Sequence, residues 1–287
     1  MDQTADRRSA FSAAVERELQ CGELVFPTSM QAALKIRRAL EDENAGLSAV
    51  AHVVGLEPLL AVKLLRMANS AHFSPRQVPV SDVYRALLRV GVDNARLLAV
   101  TLIGEQLATA EDFAPVRALA QQLWDHSLDV ASLCYAIAVQ AEGEGIAPDT
   151  ALLTGMVHSI GQFYLLARSR EFPELLEEQS ELADFILDWN HRIGQAVLVA
   201  LGTPAGIVDA IDHCGKIPCS WPPTRLADIL FLASTAASVP NPFSTVSLEA
   251  LLERRRAAFS TVDPERLERV LDEARIRRAA ALAMLAA

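Results

Sequence analysis

The stretch VRALAQQLWDHSLDVASLCYAIAVQ, Val116–Gln140, limits how this chain can fold more than any other. At helical spacing Trp124, Leu128, Ala131 and Tyr135 fall on one face, with Leu123, Ile137 and their neighbours on another. A helix that is apolar nearly all round has no side to give to water, so it must lie at the centre of other elements. The rest of the sequence supplies helices for that role. No stretch shows strand alternation of any length, and nothing recurs at a fixed period. Leu and Ala dominate a composition that is 51% hydrophobic and 6% aromatic. Both residues lose little side-chain freedom in a helix. The fold class read from this is all-α.

Punctuation by Gly and Pro orders the helices. Residues 1–22 read as a polar, partly helical lead-in. Thr28 and Gln31 form a candidate capping box for a helix over PTSMQAALKIRRALED. Gly55 closes LSAVAHVVG, and Glu57-Pro58 starts the next helix with proline in its first turn. Leu60, Leu64, Met67 and Ala71 then share a face. Ser81 is the expected cap of VYRALLRV, Gly91 its stop, and Asp93 the cap of the helix after it. Phe113-Ala114-Pro115 marks the passage to a second helical unit. DTALLTGMVHSIGQFYLLAR reads as one helix with Gly161 inside it. Further helices are expected at EFPELLEEQSE, ADFILDWNHRIGQAVLVALG, TPAGIVDAIDHCG, RLADILFLASTAASV and through the C-terminal segments, with KIPCSWPPT as a loop. The organisation is a lead-in (1–22), an N-terminal helical subdomain (23–114), a second helical subdomain (115–236), and a C-terminal helical extension (237–287) packing on the second.

A net charge of −10 argues against a general phosphate-backbone binder, which needs a basic face to displace counterions. The leading MDQTADRRSAFSAAVERE lacks the apolar core of a signal peptide. No apolar run approaches the length of a membrane span, so a cytoplasmic setting is expected. Cys21, Cys134, Cys214 and Cys219 show no CxxC pairing and read as small apolar residues or free thiols. A Cys214/Cys219 metal or redox pair is the alternative.

Four histidines, His126, His158, His191 and His213, lie on expected helices or at their ends. Helical bundles build metal sites from side chains that project inward off different helices. Each histidine alone is more often a satisfied core or surface residue, and nothing in the sequence shows that the four converge.

The order LWDHSLDVA, GMVHSIGQF, NHRIGQAVL, IVDAIDHCG, ADILFLASTAA resembles the HD-domain superfamily, and within it the HDOD group, the HD-related output domain. The N-terminal half is similar to that group's opening, through its LLRMANSA stretch and the SDVYRALLRVG helix with its glycine stop. The likeness runs from about residue 23 to 236 and implies a multi-helix HD-like bundle behind an N-terminal helical subdomain. In catalytic relatives two motif carboxylates and several histidines hold one or two metals. Carried over by position, those places fall on His126, His158, Ser159, His191, His213 and Ser234, so both carboxylates are replaced by serine. Neutral hydroxyls are poor substitutes for carboxylate at hard divalent ions, and a metal cluster without anionic ligands leaves buried charge uncompensated. Three histidines can still hold one zinc. Neither serine sits in a nucleophile elbow, and both are expected to bond helix carbonyls. Asn69, Ser70 and Phe73 belong to the family signature and are expected to fix the turn between helices of the first subdomain.

The resemblance implies a bacterial, non-catalytic signal-transduction output or scaffold module with a degenerate metal pocket and no cofactor. Its partners would be signalling proteins linked to two-component, chemotaxis or cyclic di-GMP systems. The flanks are too short for a receiver or a GGDEF/EAL portion, so input is expected through a partner, a pocket ligand or the flanking helices. The Arg-rich LLERRRAAF and EARIRRAAALAML segments are either a solvated face or a docking surface. Two other readings stay open. One is a metal-dependent phosphohydrolase with altered ligands. The other is a DNA-binding regulator, since LSAVAHVVGLEPLLAVKLLRM has helix-turn-helix spacing, though only Lys63 and Arg66 suit a nucleic-acid contact.

Overall fold

A computed structural model describes residues 2–21, 46–56, 58–69, 79–95, 114–141, 146–172, 179–201, 203–216 and 221–286, with Leu24, Phe73, Leu98, Ala99, Leu102 and Cys219. Among the described residues there are twelve helices and no strand. The all-α reading holds. The expected Thr28–Gln31 capping box, Ser70 and most of EFPELLEEQSE lie outside the described residues.

Ala114–Gln140 (α5) is the central element. From Leu123 to Ile137 every residue except Asp125 is buried. Its first half joins one core through Val116, Leu119, Leu123 and Leu128. Its second half joins another through Val130, Leu133, Cys134 and Ile137. The buried hydroxyls of Ser127 and Ser132 donate to the carbonyls of Leu123 and Leu128, at 2.9 and 2.7 Å, so they add no unsatisfied group to the core.

Asp2–Cys21 (α1) is more than a lead-in. Phe11, Val15 and Glu18 recur at i, i+4 and i+7 and are the buried face of an otherwise polar helix. Phe11 stacks on Phe185 at 4.3 Å and sits 4.6 Å from Phe172. A polar helix of this kind is marginal alone. Full burial of its Phe and Val offsets that by about 1.5–3 kcal/mol each.

Leu47–Gly55 (α2), Pro58–Asn69 (α3) and Val83–Val90 (α4) follow. Val50, Val54, Leu60, Leu64, Ala86 and Leu87 belong to the same core as the first half of α5. The cap of α4 is Asp82, one residue beyond the expected Ser81: Asp82 accepts from the Arg85 amide at 2.8 Å. Gly91, at φ +86°, ends α4 as expected. Asn69 at the end of α3 clasps Val80 from both sides. Its Nδ2 donates to the Val80 carbonyl and its Oδ1 accepts from the Val80 amide, each at 2.7 Å. Phe73 packs on the same core.

The run expected as one helix is two, Pro148–Val157 (α6) and Ile160–Ser169 (α7), broken at His158-Ser159. Two close approaches hold that break in place. A Cβ on Gly155 would lie 2.5 Å from the Ala131 Cα, and one on Gly161 would lie 2.3 Å from the Asn190 carbonyl oxygen. The glycines at either end of GMVHSIG thus let α6 touch α5, and α7 touch Gln179–Ala200 (α8), backbone to backbone. Ala205–His213 (α9), Leu226–Ala236 (α10), Leu248–Ala258 (α11) and Pro264–Ala286 (α12) complete the chain. Val270 and Ala274 of α12 enter the second core, and the Arg277 guanidinium lies 3.7 Å from the centre of the Tyr135 ring. Among the described residues no single helix is long and apolar enough to cross a membrane.

Candidate functional site

The six positions singled out by sequence do not form one cluster. His126, from α5, and His158, from the break between α6 and α7, meet edge to face with ring centres 5.5 Å apart. His126 Nδ1 lies 2.7 Å from the Val239 carbonyl, and His158 Nδ1 lies 2.6 Å from the Gly155 carbonyl. A carbonyl only accepts, so both rings carry their proton on Nδ1. That leaves Nε2 as the lone pair of each neutral ring. On His158 it is already engaged, because Ser159 Oγ lies 2.9 Å away and donates to it.

Both rings are held neutral. Burial lowers the pKa of His126, against the opposing pull of the Val239 carbonyl and of Asp129. Burial also lowers that of His158, to about 3, and the neighbouring His126 adds to the effect against the Gly155 carbonyl. Ser234 takes no part: its hydroxyl donates to the Leu230 carbonyl at 2.8 Å within α10. Of the two serines, only Ser234 makes the expected bond to a helix carbonyl.

Asp129 is the residue that sequence reasoning missed. It lies one turn beyond His126 on α5 and is buried. One carboxylate oxygen accepts from the Ser238 amide (2.6 Å), the Ser238 hydroxyl (2.9 Å) and the Val239 amide (2.9 Å). The other faces Arg278 of α12 at 3.7 Å. His126 and Asp129 therefore grip the same dipeptide, one by its carbonyl and one by its amides. Farther along, the Asn241 amide donates to Gln162 Oε1 at 2.9 Å, and Phe243 is buried. The segment 238–243 is a strap tied to α5 at His126 and Asp129 and to α7 at Gln162. A search for metal motifs passes over Asp129, whose partners lie 109 and 110 residues away.

His191 and His213 belong elsewhere, on the exposed side of α8 and α9. His191 Nε2 lies 3.0 Å from Asp212 Oδ1, while His213 Nδ1 lies 2.9 Å from the Asp209 carbonyl and 3.1 Å from its carboxylate. Gln195 and Lys216 also donate to Asp212, at 2.6 and 3.0 Å. The Lys216 bond first, and then both imidazoles, hold the Asp212 carboxyl below its usual range. Of these side chains, Gln195, Asp209 and Asp212 line a groove of about 480 Å3 together with Val199, Thr203 and Val208. The four histidines thus fall into two pairs.

A divalent ion at the first pair would find two neutral imidazoles, one with its lone pair engaged, a hydroxyl, and a carboxylate already accepting three hydrogen bonds. That set does not fit a hydrolytic metal, which needs anionic ligands and an open position for water. Among the described residues no group of three or more His, Cys, Asp or Glu is placed to hold an ion. The cysteine alternative fares no better. Burial pushes the Cys214 thiol up to about 12 and that of Cys219 to about 11, which leaves thiols in place of the thiolates that bind metals. Lys63, one of the two cations considered for a DNA contact, is buried.

The sequence matches the HDOD domain over residues 26–214. The chain belongs to the HDOD family. It covers 96% of its own length and 99% of a crystal structure from Shewanella amazonensis SB2B, provisionally assigned as a metal-dependent phosphohydrolase, at 22% identity and TM-score 0.67. An HDOD domain protein of unknown function from Geobacter sulfurreducens matches at 18% identity and TM-score 0.53, over 95% of this chain and 97% of that one. A protein from Marinobacter aquaeolei VT8, provisionally described as acting in signal transduction, matches at 20% identity and TM-score 0.54, over 100% and 66% of the two chains. Likeness at these identities is one of fold. A curated but uncharacterised protein of Treponema pallidum (strain Nichols) is 23% identical over 198 residues, and the match spans 36% of its length.

Proposed function

We propose that this HDOD chain is a non-catalytic output or scaffold module of bacterial signal transduction, working by protein–protein contact in the cytoplasm. One observation carries the reading: the carboxylate one turn beyond His126, Asp129, is taken up by the amides of Ser238 and Val239 and the Ser238 hydroxyl. The inherited pocket is used as a structural joint. His126 and Asp129 hold the strap, and Ser159 quenches His158. What such a joint offers a partner is a rigid surface, not a reaction. The provisional description of the Marinobacter protein points the same way, toward partners among signalling proteins.

The test is turnover of bis(p-nitrophenyl) phosphate by the full chain with added Mn2+, Ni2+ or Zn2+, beside His158→Ala. No turnover above the variant's background is expected. Turnover that disappears on His158→Ala would overturn the proposal and restore the phosphohydrolase reading.

A further inference from the structure

We draw no further inference here: the strongest candidate, the groove between α8 and α9 lined by Gln195, Val199, Asp209 and Asp212, gathers two carboxylates that already pair with His191, Gln195, His213 and Lys216 of this chain, and nothing in the structure shows what covers it.

Discussion

Ser159 Oγ stands 2.9 Å from Nε2 of its chain neighbour His158, and the bond ties up the nitrogen through which that ring would reach a metal. Where the resemblance places a metal-binding His-Asp pair, this chain has a closed His-Ser pair with its Nδ1 proton on the Gly155 carbonyl. The surrounding packing is built to keep it closed, and each part of it can be tested alone.

The glycines that flank the pair are the first part. Gly155→Ala and Gly161→Ala each push a methyl into backbone, within 2.5 and 2.3 Å of Ala131 and Asn190. Each should cost about 1–3 kcal/mol in urea unfolding. Gly206→Ala is the control, because nothing lies within 4 Å of its Cβ position at the start of α9. That variant should be neutral or gain up to about 1 kcal/mol.

Acid should loosen the pocket. The pKa of His158 is about 3 in the folded chain against 6.5 ordinarily. Between those values the unfolded chain binds the extra proton, so stability is full above pH 6.5 and falls as the pH drops toward 3. The slope for one group is about 1.4 kcal/mol per pH unit. His126, also lowered, acts in the same direction below 6.5. Unfolding free energies of wild type and His158→Gln at stepped pH should show a shallower decline for the variant. Parallel lines would refute the shift.

Asp129→Ala removes the acceptor of two amides and a hydroxyl in the strap. A loss of about 2–4 kcal/mol is expected, from charged hydrogen bonds and stranded donors. The amides of Ser238 and Val239 should lose hydrogen-exchange protection before those of α5. Retained protection at both would place the strap's anchor elsewhere.

Asn69→Asp distinguishes a two-way clasp from a plain polar contact. Aspartate can still accept from the Val80 amide, but its second oxygen would face the Val80 carbonyl where an amide N–H now donates. Destabilisation of about 1–3 kcal/mol at neutral pH is expected, at least as large as for Asn69→Ala. A harmless Asn69→Asp would show that only the accepting half matters.

Much of the fold was legible because helices advertise themselves locally. The stripe of Leu60 and Leu64, the stop at Gly91 and the all-round apolar α5 are short-range patterns with one physical solution each. The break at His158-Ser159 was hidden because its cause is the close approach of Gly155 and Gly161 to other helices, which the run itself does not encode. The site was harder still. His126, His158 and Ser159 were found by resemblance, but their separation from His191 and His213 depends on where α8 and α9 pack. Asp129 looks like any acid on a helix until the strap, more than a hundred residues on, arrives to use it. In α1 the signal was present in Phe11, Val15 and Glu18, diluted by the polar residues between them.

Metal analysis of the full chain, purified without chelator and dialysed against Mn2+, Ni2+ and Zn2+ in turn, reaches the pocket most directly, with the Ser159→Asp/Ser234→Asp variant run beside it. Wild type should retain well under one ion per chain, and the variant should hold an ion more firmly only through Ser159→Asp beside His158, since Ser234 stands apart and bonds within α10. An ion held firmly and stoichiometrically by wild type, and lost with His126→Ala or His158→Ala, would contradict a pocket closed by its own hydrogen bonds.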